Sequence, residues 1–275
     1  MFFLCGWSVF SGEMWLILAG LFVVAALYSS VGHGGGSGYL AVLSLTSYAT
    51  TESTWLKQYA WSLNLIVAAL AFWHYHRQGH HDWGLTLPFV VASVPLAAVG
   101  GYMSVEGSVY DLLLGLALLI AAWRLSAGKW DVEEVRPPEP TKAVLVGGGI
   151  GLASGVVGIG GGIFLSPVIM LSGWASAKQT AATAALFIWM NSLAGLLGAG
   201  ASGQIGLDLG LLAPFGAAVL LGGDRFEIRL SGLLSEWCQR IAYDCDLRRR
   251  NTKAADGSWA LTHHMPIISS WPHSE

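Results

Sequence analysis

The strongest constraint in this chain is the length of its charge-free stretches. Between Met1 and Leu56 the only charged side chains are Glu13 and Glu52, and the first basic residue is Lys57. Of the 275 residues 54% are hydrophobic and 11% are charged, whereas soluble domains carry about 25% charged residues. About 20 apolar residues cross the ~30 Å hydrocarbon core of a bilayer as a helix. The sequence therefore predicts an all-α polytopic membrane protein.

The predicted membrane segments occupy most of the chain. Pro88 and Pro95 fall inside one of them, which is acceptable because neighbouring helices in a bundle re-satisfy the backbone. A charged stretch with three prolines, 127–142, divides the segments into two groups and is interpreted as a solvated linker. The apolar segments are Met14–Ser30, Tyr39–Leu45, Thr54–Trp73, Leu85–Met103, Tyr110–Trp123, Ala143–Leu171, Ala181–Leu197 and Leu207–Leu221.

Two glycine clusters indicate an internal repeat. Val31–Gly36 reads VGHGGG, and Val157–Gly162 reads VGIGGG at an offset of 126 residues. Asn64 and Asn191 match at an offset of 127, and each is followed by a short loop with glycine and aspartate. These landmarks predict two membrane repeats, 1–126 and 143–222, each opening with a glycine-broken helix. The pattern leaves open whether each cluster breaks a crossing helix or turns a re-entrant hairpin, and so whether the repeats are parallel or inverted.

The final stretch, 223–275, departs from this pattern. It carries charges throughout, two of the three cysteines and no long apolar run. The first repeat has a further helix at Tyr110–Trp123, and its counterpart in the second repeat is missing. Three interpretations stay open: a natural cytoplasmic tail, a reading frame that shifts near Gly223, or a foreign segment. A Leu/Val-rich helix in another frame would support the shift.

Basic residues in short loops predict the orientation. Arg77 and the basic residues of the linker are separated by two helices, so they are expected on one side of the membrane, the cytoplasmic side. Lys57 falls on the opposite side or just inside the membrane edge, which weakens the assignment. The central linker is therefore predicted to be cytoplasmic.

Several classes of function find no support in the sequence. The net charge of −3 gives no electrostatic case for nucleic acid. The cysteines have no metal-ligand spacing, and no lysine–serine or lysine–threonine pair follows GIGGG at 158–162, as a phosphate-binding loop requires. No serine or cysteine nucleophile lies near a plausible base in the sequence. We therefore expect no enzyme activity and no cofactor.

The two glycine-cluster segments resemble the signature of the sulfite exporter TauE/SafE family. The closer match is Gly151–Leu171, GLASGVVGIGGGIFLSPVIML, and the variant is Tyr28–Leu45, YSSVGHGGGSGYLAVLSL. The resemblance covers about Leu16 to Gly222. It implies an inner-membrane secondary transporter of small anions, such as sulfite or organosulfonates, working by alternating access between the repeats. The stretch after Gly223 departs from the family, which normally closes with another membrane helix.

The glycine clusters are the predicted anion site. Helix N-termini hold oxyanions through free N–H groups and the positive end of the helix dipole, and glycine permits sharp turns and close approach to a ligand. The competing interpretation is tight helix packing, which is expected for Gly147, Gly148, Gly149, Gly151 and Gly155. The candidate substrate-binding residues are Gly34, Gly35, Gly36, Ser37, Asn64, Gly160, Gly161, Gly162, Ser166 and Asn191.

The polar candidates each have a structural alternative. Ser37 and Ser166 would otherwise bond back to their own helices, and Asn64 and Asn191 would make interhelical hydrogen bonds. His33 stands where the other repeat has an isoleucine, and a titratable group there would couple proton movement to anion movement. Its alternative is a bond to a backbone carbonyl.

A histidine-rich loop supports an alternative function, a membrane-embedded metal-binding or sensor protein. The loop contains His74, His76, His80, His81 and Asp82. On a helix the first two histidines would point to different faces, so the preferred interpretation is an interfacial loop anchored by Trp73 and Trp83. The sequence predicts neither the substrate's identity, nor the coupling ion, nor the oligomeric state.

Overall fold

The computed structural model describes residues 12–29, 32–103, 105, 107–126 and 135–223. The chain divides into two units, 1–229 and 230–275, and the second lies wholly outside the described residues. The predictions for 224–275 and for linker residues 127–134 likewise fall outside them. The helices are α1 (Gly12–Ser29), α2 (Gly36–Ser44), a 3-10 turn (Ser47–Thr50), α3 (Ser53–Arg77), α4 (Trp83–Tyr102), α5 (Ser108–Ser126), α6 (Pro140–Val157), α7 (Gly162–Leu171), α8 (Ala177–Ala201) and α9 (Leu209–Gly223).

The helices present large apolar side chains outward, as a membrane protein does. By length and composition α1, α4, α6 and α8 can each cross a membrane. Leu16, Leu112 and Leu145 are 74%, 71% and 72% exposed, which would be costly in water and is favourable in lipid. No strand occurs in the described ranges. The prediction of an all-α polytopic membrane protein is confirmed.

The first glycine cluster turns a helical hairpin. Gly20 of α1 lies against Val42 of α2, and Gly38 lies against Val24, so the two helices run antiparallel. After α2 the chain has returned to the start of α1, where the Ser47 N–H donates to Glu13 Oε1 at 2.6 Å. Of the two alternatives that the sequence left open for the glycine cluster, the structure shows the hairpin.

The second glycine cluster interrupts what the sequence presents as one segment, Ala143–Leu171. Helix α6 ends at Val157 and α7 begins at Gly162. Between them Gly160 and Gly161 both adopt a φ of +85°, a conformation that residues with a Cβ rarely take. The glycine break predicted inside this apolar segment is therefore present in the structure.

This second break also turns a hairpin. After α7 the Gly173 carbonyl accepts a hydrogen bond from the Arg136 N–H at 2.8 Å, just ahead of α6. The Trp174 ring lies 6.0 Å from that of Phe89, near the start of α4. The chain has thus come back to the end of the bundle from which α6 departs.

The two hairpins start from opposite ends of the bundle. The first end, where α1 starts, also holds the beginning of α3 and the loop after α4, because Ser53 Oγ donates to Val105 O at 2.7 Å. The second end, where α6 starts, also holds the beginnings of α4 and α8, whose Thr86 and Thr183 hydroxyls are 3.0 Å apart. Since α4 runs from the second end to the first, these two ends are distinct.

Among the described residues, basic side chains lie mostly at the second end. Arg77 closes α3 there, and Arg136 precedes α6 there. The expectation that Arg77 and the linker share one side is confirmed for Arg136, while its assignment as cytoplasmic stays a prediction. Lys57, which complicated that assignment, is fully buried towards the first end and donates from Nζ to Met103 O at 3.2 Å.

A row of glycines brings α4 and α6 into close contact. Gly147, Gly151 and Gly155 are spaced four residues apart and therefore lie on one face of α6. Small residues let membrane helices approach closely. Methyl groups there would collide with the α4 backbone, in the pairs Gly147–Phe89, Gly151–Ser93 and Gly155–Ala97. The packing interpretation is confirmed for these three and for Gly148, which faces Leu96. It is wrong for Gly149, which faces open space.

Local capping explains where helix starts differ from prediction. Helix α8 starts at Ala177, four residues before the predicted segment, because Ser176 and Gln179 form a capping box. Helix α6 starts at Pro140, inside the predicted linker 127–142, since proline suits the first turn of a helix.

Candidate functional site

The tips of the two hairpins meet at the same side chains on α3 and α8. A methyl group at Gly34, in the first tip, would lie 2.8 Å from both Asn64 Oδ1 and Ile188 Cγ2. A methyl group at Gly160, in the second tip, would lie 2.8 Å from Asn64 Nδ2 and 2.9 Å from Ile188 Cγ2. Segments from opposite ends of the bundle therefore converge on one point, which we call the tip junction (Gly34, Asn64, Gly160 and Ile188).

Both short helices begin at this junction without a side-chain cap. The N-cap residues are Gly35 and Gly161, and neither helix start has a side-chain hydrogen bond. The earliest backbone donors inside the helices are Tyr39, to Gly35 O at 2.9 Å, and Phe164, to Gly161 O at 3.1 Å. The N–H groups ahead of these donors are buried with the tips. Two helix N-termini thus bring donors and positive dipole ends to one buried place.

Asn64 connects the junction to the second hairpin. Its Nδ2 donates to the Ile159 carbonyl at 3.2 Å and to Ser192 Oγ at 3.3 Å. Its Oδ1 is buried and has no hydrogen-bond partner among the described residues. The interhelical bond expected for Asn64 is therefore present, and the amide additionally holds the glycine turn in place.

Asn191, its counterpart in the sequence repeat, behaves differently. It is fully buried on α8. Neither Nδ2 nor Oδ1 has a partner within the described ranges, so the interhelical bond expected for it is not among the bonds of those residues. An unpaired buried amide costs about 1–3 kcal/mol per polar group, and such an amide is suited to a polar ligand.

His33 lies in a polar cluster that bridges the hairpins. Its Nε2 is 3.1 Å from Ser166 Oγ of α7. The centroid of its ring lies 6.4 Å from that of the Tyr28 ring, in an edge-to-face arrangement. Ser37 Oγ donates to Tyr28 Oη at 3.2 Å. Ser37 and Ser166 thus bond side chains outside their own helices, in place of the alternative back-bonds, and His33 bonds a hydroxyl of the opposite hairpin.

Comparison with known proteins identifies the family. A family model described as "Sulfite exporter TauE/SafE" matches residues 14–238. The chain belongs to the sulfite exporter TauE/SafE family. It is 36% identical, over 186 residues covering 66% of this chain and 74% of the relative, to "Probable membrane transporter protein y4hK" of Sinorhizobium fredii. No solved structure matches it significantly. The matched range of the family model passes Gly223 and ends at residue 238.

Membership of the TauE/SafE family settles the general activity. Proteins of this family are membrane transporters and not enzymes. The TauE/SafE chain described here is accordingly a multi-pass membrane transporter with a small-molecule substrate.

Some residues of the tip junction carried no signal in the sequence of this TauE/SafE protein. Ile188 contacts Gly34, Gly160 and Gly162, but an isoleucine in an apolar helix has no chemical signature. Ser192 bonds Asn64 and follows Asn191 directly, so a scan for polar neighbours of the asparagines would have found it. Tyr39 is also buried, and its hydroxyl has no partner in the described part of the chain.

The histidine loop of this TauE/SafE protein does not gather a metal site. Among the described residues, which include 74–82, no three His, Cys, Asp or Glu side chains could hold a metal ion together. His74 Nε2 is 2.5 Å from Gln78 Nε2, and His81 Nε2 is 3.1 Å from Thr86 Oγ1. Burial lowers the pKa of His81, His76 lowers it further, and Asp82 opposes them.

Proposed function

We propose that this transporter carries small anions across the inner membrane, sulfite or organosulfonates among them, and binds them at the tip junction. The observation that carries the proposal is the meeting of two buried, uncapped helix N-termini at Asn64 and Ile188. The proposed substrate ligands are Gly34, Gly35, Gly36, Ser37, Asn64, Gly160, Gly161, Gly162, Ser166 and Asn191.

The chemistry of the junction favours an anion over a cation or a neutral solute. Each helix N-terminus is equivalent to roughly +0.5 of an elementary charge, and two of them meet here. Backbone N–H groups bind oxyanions without a fixed cationic side chain. The site can therefore release its substrate once the hairpins move apart, because the proposed ligands are backbone N–H groups and neutral side chains.

The arrangement of the hairpins supports alternating access between inverted repeats. In this proposal α1–α4 correspond to α6–α9 in the same order, and the two hairpins start from opposite ends of the bundle. Inverted repeats around a mid-membrane site built from broken helices are a common transporter design. Rocking one repeat against the other would then expose the tip junction to each side in turn.

The proposal is tested by flux in reconstituted vesicles with sulfite, sulfoacetate, sulfate and thiosulfate. Gly34→Ala and Gly160→Ala are expected to reduce uptake at least about tenfold, because each methyl group would occupy the tip junction within 3 Å of Asn64. Gly149→Ala is the matched control, since its methyl group meets nothing within 4 Å. Uptake of none of these anions by the unmodified protein, or uptake unaffected by both tip variants, would overturn the proposal.

A further inference from the structure

We infer that Asn64 makes the site selective for anions that also carry a hydrogen-bond donor, such as a hydroxyl group or a protonated oxygen. This inference rests on the proposed function, because it concerns what the tip junction recognises. It adds a requirement that helix N-termini do not impose, since backbone N–H groups alone would accept any small oxyanion.

The orientation of the Asn64 amide follows from its partners. Nδ2 faces the Ile159 carbonyl at 3.2 Å and the Ser192 hydroxyl at 3.3 Å. A carbonyl oxygen can only accept hydrogen bonds, so the reversed amide would place two acceptors against each other. The oxygen Oδ1 must therefore point the other way.

The first glycine tip lies against the Asn64 amide. A methyl group at Gly34 would lie 2.8 Å from Oδ1, and one at Gly36 would lie 3.1 Å from Oδ1 and 2.5 Å from Nδ2. Asn64 is fully buried, and among the described residues no donor reaches Oδ1. Glycine at these two positions lets the first tip lie directly against the Asn64 amide, so a ligand reaches Oδ1 when the tips move apart, as the proposed alternating access requires.

The start of α2 and Asn64 Oδ1 then place two different requirements on a ligand bound between them. The N–H groups at the start of α2 attract a negatively charged oxygen, whereas Oδ1 repels one and needs a donor. A bare oxyanion satisfies the first requirement and leaves the acceptor buried and unpaired, which is unfavourable. An anion with an adjacent O–H satisfies both, as hydrogen sulfite does in contrast to sulfite, and a hydroxyalkanesulfonate in contrast to an alkanesulfonate.

The other buried amide does not impose this requirement. Asn191 has both Nδ2 and Oδ1 without partners in the described ranges, so its amide can turn to offer either a donor or an acceptor. Asn64 cannot turn, because Ile159 holds its Nδ2. The selectivity is therefore assigned to Asn64 alone.

The test compares 2-hydroxyethanesulfonate with ethanesulfonate. Both are monoanions at every pH used, and they differ by one hydroxyl oxygen. For the unmodified protein we expect uptake, and thermal stabilisation of the detergent-purified protein, to favour the hydroxylated anion by at least about tenfold in concentration. Equal responses to the two anions, including no response to either, would overturn the inference.

Variants separate the role of Oδ1 from general damage to α3. Asn64→Ala is expected to bring the preference between the two anions close to one. Ser62→Ala is the control and should keep the preference, because Ser62 Oγ only donates to Gln58 O of its own helix at 2.8 Å. If Asn64→Ala does not fold, the comparison in the unmodified protein still decides the matter.

The two proposals fail in different ways. If sulfite and the other panel anions are taken up but the hydroxyl makes no difference, the donor requirement is wrong and the transport proposal stands. If no anion of the panel is taken up, the transport proposal itself is wrong.

Discussion

At the scale of single residues, two asparagines that look equivalent in the sequence have different environments. Asn64 holds the second glycine turn through Ile159 O and Ser192 Oγ. Asn191 is buried without partners among the described residues. The difference arises because Ser192 of α8 accepts a hydrogen bond from Asn64. The residue of the first repeat that matches Ser192 is Leu65, whose side chain cannot do the same for Asn191. Nδ2 of Asn64 is thus committed to the protein while its Oδ1 has no partner, and neither polar atom of Asn191 has one among the described residues.

His33 provides a test of proton coupling. If the imidazole couples proton movement to transport, uptake by the unmodified protein should change with pH across the series that is measured. His33→Gln keeps a polar partner for Ser166 but does not titrate, so its uptake should vary little over the same range. The measurement is vesicle uptake at a series of pH values.

The control for this test is His81→Gln in the loop, which should keep the pH profile of the unmodified protein. His81 lies at the second end, bonded to Thr86 rather than to the hairpins. A His33→Gln profile identical to that of the unmodified protein would remove the coupling role.

At the scale of elements, the glycine row on α6 sets the distance to α4. Gly151→Ala places a methyl group against the backbone of Ser93, and backbone cannot move aside as a side chain can. Overpacking of this kind costs about 1–3 kcal/mol. We expect a lower midpoint of thermal unfolding in detergent, measured by fluorescence or scattering.

Gly149→Ala is the matched control for this prediction as well. It lies two residues away on the same helix and faces open space, and alanine favours the helix by about 1 kcal/mol over glycine. Its unfolding midpoint should be unchanged or higher. Equal midpoints for the two variants would contradict the close contact of α4 and α6.

At the scale of the whole molecule, the hairpins predict which residues face which side of the membrane. Ser47 follows the first hairpin and Ser172 follows the second, and both are exposed at opposite ends of the bundle. In a background where Cys5, Cys238 and Cys245 are replaced by serine, Ser47→Cys and Ser172→Cys should react with an impermeant thiol reagent from opposite sides. The measurement compares right-side-out with inside-out vesicles.

Gln78→Cys serves as the reference for the second end, because its loop joins α3 to α4 there. It should be labelled from the same side as Ser172→Cys. Labelling of Ser47→Cys and Ser172→Cys from one side would contradict the opposed hairpins and, with them, the proposed alternating access.

Much of the fold could be predicted because hydropathy and capping are local. The order of the helices and the membrane class follow from charge-free segments, and most boundaries fall within a few residues of the structure. Hydropathy alone does not show the break inside Ala143–Leu171, because an apolar run looks alike whether or not it turns, and the glycine cluster is what predicted it. The site was predicted only in part, because Ile188 contributes shape rather than chemistry, and nothing along the chain shows that it meets Gly34 and Gly160.

The sequence by itself determined that this chain lies in a membrane and that two matched glycine clusters interrupt its helices, since both are properties of neighbouring residues. Only the tertiary structure decided that the hairpins start from opposite ends and that their tips meet at Asn64. The physical reason is that glycine permits a turn without directing it. The direction comes from packing against α3 and α8, between segments more than a hundred residues apart.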